Sequence, residues 1–170
     1  INRGHRVIGP ALRDGAIVLE ELKSIDALPQ GWVDTQSSGR YGLTKRESQA
    51  YFGFNLGPQS WKKFLYPPSR RLWNARREKM GFEVTEEKRE NTSLAFFGIR
   101  PCELKAISIL DTIFGGGQFR DPAYLSARRD LVTIAVNCGQ AGGTCFCSSM
   151  ESGPKATSDF DLALTEIVED

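Results

Sequence analysis

The sequence between residues 93 and 138 decides the fold: SLAFFGI at 93–99, RPCELKAISILDTIFGGG at 100–117 and LVTIAVNC at 131–138. Ser93–Ile99 is a nearly continuous apolar run, the pattern of a strand buried on both faces. Pro101 suits the first turn of a helix, where its missing N–H costs nothing. Leu104, Ile107, Leu110, Ile113 and Phe114 then recur at helical spacing, and Gly115-Gly116-Gly117 stops the helix. Leu131–Val136 is a second apolar run. The stretch before it, with Arg120, Arg128 and Arg129, reads as a basic, exposed connector. Strand, helix, strand predicts a parallel pair with a right-handed crossover.

Working outward, Arg6–Leu12 and Ala16–Glu21 flank Asp14-Gly15, a strong hairpin signal. Trp32 to Tyr41 reads as loop. Ser60–Tyr66 predicts a short helix closed by Pro67-Pro68. Arg70–Arg77 and Phe82–Glu87 flank Met80-Gly81, a second hairpin, and Glu86–Asn91 is a solvated loop. Phe160, Leu162 and Leu164 alternate as a last strand. The expected class is α+β or α/β: a mixed sheet with a βαβ unit carrying the cysteine site and an N-terminal β-hairpin-rich portion. The expected portions are 1–91 and 92–170, parts of one compact domain.

The chain has 170 residues, one His and four Cys, with a net charge of +1. That balance argues against a nucleic-acid binder. The longest apolar runs, Leu94–Phe97 and Leu131–Val136, are too short to span a bilayer, and no signal-peptide core follows the polar N-terminus. A cytoplasmic protein is expected. With His5 as the sole histidine, His-centred catalysis and multi-His metal sites are weak readings. Glu20-Glu21 and Glu86-Glu87 read as solvated faces, and Trp61 and Trp73 as core or interface aromatics. No residue is assigned a catalytic role. A flavin or nicotinamide site is disfavoured, because no Gly-x-Gly-x-x-Gly sits at a strand–helix turn.

The cysteines are the unusual resource. Cys102, Cys138, Cys145 and Cys147 have 35, 6 and 1 residues between them. Parallel strands end at one sheet edge, where open α/β sheets place ligands. Cys102 follows the first strand, Cys138 the second, and Cys145 and Cys147 lie in the loop 139–149, whose Gly139, Gly142 and Gly143 let backbone approach a bulky ligand. Four thiolates suit a tetrahedral zinc or an iron–sulfur cluster, and unligated cysteines are the third reading. Neither zinc knuckles nor a Cys-x2-Cys-x2-Cys run is present. Cys102 at a helix N-terminus is expected to have a lowered thiol pKa, and Arg100 and Lys105 to add positive charge.

Phe96-Phe97-Gly98-Ile99-Arg100-Pro101-Cys102-Glu103-Leu104 resembles the Gly-Val/Ile-Arg-Pro-Cys-Asp/Glu-Leu signature of the sulfhydrogenase (hydrogenase/sulfur reductase) beta subunits, a family that also includes a subunit of anaerobic sulfite reductase. Asn137-Cys138 through Thr144-Cys145-Phe146-Cys147-Ser148-Ser149-Met150, with Gly153-Pro154, is similar to that family's cysteine element, and Phe160–Glu166 to its following strand. Gly9-Pro10, Arg13–Ile17 and Gly57–Leu65 also look like family elements, so the resemblance covers nearly the whole chain. It implies an electron-transfer iron–sulfur subunit, holding one [4Fe-4S] cluster on Cys102, Cys138, Cys145 and Cys147. The implied partners are other redox subunits, flavin-containing or of the hydrogenase/reductase type. A zinc-stabilised docking domain is the alternative. Glu151-Ser152 stands where the family has Gly-Thr. The family's C-terminal ferredoxin-like part has no counterpart here, so the chain is expected to be a fragment or a shortened homologue.

Overall fold

The computed structural model describes residues 4–87 and 93–168. The chain is mixed α and β, built on one five-stranded sheet with two small antiparallel hairpins beside it. In chain order the strands are β1 (His5–Arg13), β2 (Ala16–Glu21), β3 (Trp32–Ser37), β4 (Arg40–Lys45), β5 (Trp73–Glu78), β6 (Gly81–Glu86), β7 (Ser93–Ile99), β8 (Val132–Val136) and β9 (Leu162–Leu164). The helices are α1 (Lys62–Leu65), α2 (Pro101–Gly115) and α3 (Pro122–Arg129), with a short 3-10 turn at Ile25–Ala27. No helix among the described residues is long and apolar enough to cross a membrane.

The large sheet runs β2-β1-β7-β8-β9. β1 and β2 are antiparallel, and β1, β7, β8 and β9 are mutually parallel. The sheet thus draws strands from both ends of the chain. Asp14 (φ 49°) and Gly15 (φ 74°) both take the left-handed region, which is what a two-residue turn of the hairpin hand requires. β7 is the central strand, and Phe96 and Ile99 on it are fully buried. Trp61 packs tilted against Phe96 with ring centroids 4.6 Å apart, and Leu104, Ile107, Tyr124 and Ala135 share the same core.

Two expectations are corrected. Trp32–Tyr41 is not loop but most of a hairpin, β3–β4, turning at Ser38-Gly39 with Ser37 opposite Arg40. Its polar strands hide the alternation, and only Val33 and Asp34 on β3 are buried. The segment of Arg120, Arg128 and Arg129 is not a bare connector: α3 occupies most of it. The Asp121 carboxylate caps this helix, accepting from the N–H groups of Ala123 (2.7 Å) and Tyr124 (2.9 Å), and Pro122 opens its first turn. Arg128 is half-buried and donates to Asp111 on α2 at 3.1 Å, and Tyr124 donates to the same carboxylate at 2.6 Å. The solvated loop read at Glu86–Asn91 begins inside β6 and otherwise lies largely outside the described residues.

At the end of β7 the ladder to β8 slips by one residue between Phe97 and Ile99. Gly98 makes the slip possible with φ 86°, and a Cβ there would come 2.7 Å from the ring of Phe52. The bulge re-aims the chain into Arg100 and α2. From β8 to β9 the parallel connection contains no helix. Residues 137–161 make the whole crossover, and this irregular segment carries three of the four cysteines. Helix-free crossovers of this length are uncommon and are usually functional.

Candidate metal centre

All four cysteines line one cavity of about 630 Å3 at the carboxyl edge of the parallel strands. Cys102 lies in the first turn of α2, Cys138 lies two residues beyond β8, and Cys145 and Cys147 lie on the crossover loop. None is in a disulfide. The crossover loop is shaped by its own backbone. Cys138 N–H donates to the Pro154 carbonyl (3.0 Å), and the Cys147 carbonyl accepts from the N–H groups of Ser152 (3.0 Å) and Met150 (3.2 Å).

Of the three loop glycines Gly139, Gly142 and Gly143, only Gly142 brings backbone against a sulfur; Gly139 stands in open space and Gly143 lies against the Gln36 carbonyl. Gly142 N–H donates to Cys145 Sγ at 3.2 Å. A Cβ at Gly142 would lie 3.0 Å from Asn55 Nδ2, one at Gly153 would lie 3.4 Å from Cys147 Sγ, and one at Gly143 would collide with the Gln36 carbonyl. The four thiols on one cavity are the donor set that a thiolate-bound group would use. Among the described residues, no three His, Cys, Asp or Glu side chains sit close enough together to hold a single metal ion.

The wall facing the cysteine loop comes from the N-terminal half, and no local signal in the sequence announces it. Thr144 Oγ1 donates to Gln36 Oε1 (2.7 Å), and Cys145 Sγ lies 3.9 Å from Asn55 Oδ1. Segment 50–57 is held by charged groups from three distant places. Asp34 accepts from the Asn55 backbone N–H (2.5 Å) and Nδ2 (3.2 Å). Glu166 accepts from the N–H groups of Tyr51 (2.6 Å) and Phe52 (3.0 Å). Arg100, 6% exposed, donates to the carbonyls of Phe52 (2.7 Å), Phe54 (2.8 Å) and Asn137 (3.1 Å). Its guanidinium also lies 5.7 Å from each of the Phe52 and Phe54 ring centroids. Arg100 is therefore a buried tie between β7, β8 and segment 50–57.

The electrostatics depart from expectation at Cys102. Burial pushes its thiol up to about 11, and the Glu103 carboxyl and the other three thiols add to the rise. Cys102 keeps an open side toward the cavity, while its packed sides and the Glu103 carboxyl favour the protonated thiol. Burial also raises Cys138, against the opposing charge of Arg100. Burial pushes Glu103 up to about 7, while the Arg100 N–H, the Trp61 indole and the Arg100 charge hold it down. Glu103 also closes the first turn of α2, accepting from Arg100 N–H at 2.8 Å. Lys105 lies on the rim of the cavity. Trp61 is core and Trp73 is exposed on β5. Glu151, standing at a position that is glycine in the resembled motif, takes φ 49°.

Compared with known proteins, the chain matches no family model, no curated protein and no solved structure.

Proposed function

We propose that this chain is an electron-transfer iron–sulfur module, a subunit or part of one, of a multi-subunit oxidoreductase such as a hydrogenase or a sulfite/sulfur reductase. Cys102, Cys138, Cys145 and Cys147 would hold one [4Fe-4S] cluster as thiolates. The observation that carries the reading is that all four cysteines, none left over, line one cavity at the strand ends. When bound, such a cluster accepts and passes single electrons.

The chain's own residues then have definite roles. The cysteines lose their thiol protons to bind, and the raised Cys102 and Cys138 thiols make binding release protons near neutral pH. The Gly142 N–H, already directed at Cys145 Sγ, offsets negative charge on that sulfur. Arg100 supplies a fixed buried positive charge beside Cys138. Gln36 and Asn55 line the side of the pocket next to Thr144 and Cys145. No side chain is assigned bond-making chemistry, and the partners are other redox subunits, flavin-containing or of the hydrogenase/reductase type. Four unpaired cysteines suit a reducing compartment, so we assign the protein to the cytoplasm.

The test is anaerobic reconstitution, followed by iron and acid-labile sulfide analysis, visible absorption and EPR. The expected result is about four irons and four sulfides per chain, with an EPR signal on reduction. A folded protein with four reactive thiols and no bound iron overturns the proposal. So does a colourless protein carrying one zinc per chain, the outcome a docking domain requires.

A further inference from the structure

A guanidinium keeps its proton at any pH a folded protein meets, so Arg100 is a permanent positive charge in a buried position. Buried charges are as a rule paired with an opposite charge. Among the described residues, however, Arg100 makes no ion pair. Its guanidinium donates to three neutral carbonyls, those of Phe52, Phe54 and Asn137, and lies over the Phe52 and Phe54 rings. The Glu103 carboxylate accepts from the main-chain N–H of Arg100. The dipoles around the guanidinium satisfy its geometry and leave its charge unmatched.

Arg100 lines the cysteine cavity together with Cys102, Cys138, Cys145 and Cys147. Its Nη1 bonds the carbonyl of Asn137, the residue before Cys138, and Cys102 stands two positions further along the chain. The thiols are neutral, but four thiolates holding an iron–sulfur cluster make a net anion. We infer that Arg100 is the buried counter-charge of the anion these four cysteines hold, and that it raises the reduction potential of a cluster bound there. The inference rests on the iron–sulfur reading. Reduction adds one electron and one negative charge to the cavity, taken from a low-potential reductant such as dithionite, and no bond is made or broken. A fixed positive charge beside the cavity stabilises the reduced form more than the oxidised one. Lys105 lines the same cavity but is exposed, so water and salt screen it. Burial gives Arg100 the larger influence.

A redox titration followed by EPR, on the full chain reconstituted anaerobically, tests this with three variants beside the wild type. Arg100→Gln and Arg100→Lys both keep an N–H donor and both lose part of the three-carbonyl tie, but only lysine keeps the charge. At the potential where the wild type is half reduced, Arg100→Gln is expected to show a reduced-to-oxidised ratio lowered about tenfold, a drop of ~59 mV for one electron. Arg100→Lys is expected to stay within about threefold of the wild type although it too unfolds at lower urea, and Lys105→Gln to do the same. A purely structural role would move the two Arg100 variants together. The inference is overturned, with the iron–sulfur reading intact, if those two shift alike, if Arg100→Gln does not shift, or if Lys105→Gln shifts as far. Where Arg100→Gln holds no cluster, the lysine variant decides: a wild-type potential upholds the inference and a lowered one overturns it. A wild type that takes up no iron overturns the iron–sulfur reading and this inference with it.

Discussion

Replacing Arg100 by Met removes a buried guanidinium while keeping most of its length. Three main-chain carbonyls then lose their donor, that of Phe54 at a buried position and those of Phe52 and Asn137 at partly buried ones. Each buried acceptor left unpaired costs ~1–3 kcal/mol, and loss of the two ring contacts adds ~0.5–2 kcal/mol each. Some repacking and water entry offset this, because segment 50–57 lies near the surface, so the net loss is set at about 4 kcal/mol. That is a large share of the ~5–15 kcal/mol that holds an ordinary domain together. With a urea dependence of ~2 kcal/mol per molar, the unfolding midpoint of the cluster-free protein should fall by about 2 M. Arg100→Lys keeps the charge but cannot reach three carbonyls in one plane, and should recover less than half of the loss. Equilibrium urea unfolding, followed by circular dichroism in reducing buffer, makes the measurement. A midpoint shift below about 0.5 M for Arg100→Met, near the ~1 kcal/mol of an ordinary surface change, would refute the idea that this residue ties the three segments.

Three further predictions concern the frame around the site. Gly98→Ala forces a left-handed backbone on alanine and drives its Cβ into the Phe52 ring, so it should cost about 2–5 kcal/mol in the same urea assay. Glu151→Gly relieves left-handed backbone at a cost in chain entropy, and should raise the thermal midpoint by about 2–4 °C, read by scanning calorimetry. Burial and the Asp111 carboxylate raise Tyr124 well above the ordinary phenol range. Above pH ~10 the unfolded chain gives up this proton while the folded chain keeps it, so stability is intact below that pH and falls as pH rises beyond it. In an ultraviolet phenolate titration of the four tyrosines, at least one should resist until the fold opens, and four equal titrations in a native fold would count against the buried pair.

The central β7–α2–β8 unit is legible because its signals are local and agree with one another. Apolar runs mark the strands, Pro101 opens the helix and the glycine triplet closes it. Asp14-Gly15 is legible for the same reason. α3 is hidden because its sequence, PAYLSARR, buries only Ala123 and Tyr124 and so has little apolar rhythm. Its real signal is Asp121-Pro122, a cap followed by a first-turn proline. β3–β4 is hidden by polar strands. At the site, the topology alone brings the cysteines to one edge, but the opposite wall of Gln36 and Asn55 comes from residues some ninety or more positions away. Arg100 shows the same limit. Nothing local marks an arginine as buried when its acceptors are carbonyls in a distant loop.

Segment 50–57 is gripped by its main chain. Asp34, Glu166 and Arg100 reach the N–H groups of Tyr51, Phe52 and Asn55 and the carbonyls of Phe52 and Phe54. Every peptide unit offers these same groups, whatever side chain it carries. The wall of the cavity is thus held in place largely without regard to the residues that compose it. Substitutions along the segment can retune the surroundings of Cys145, through Asn55 for example, while the wall stays where it is. Tolerance to mutation should therefore be divided unevenly: broad in the loop that faces the sulfurs, and narrow at the three remote charges that fasten it.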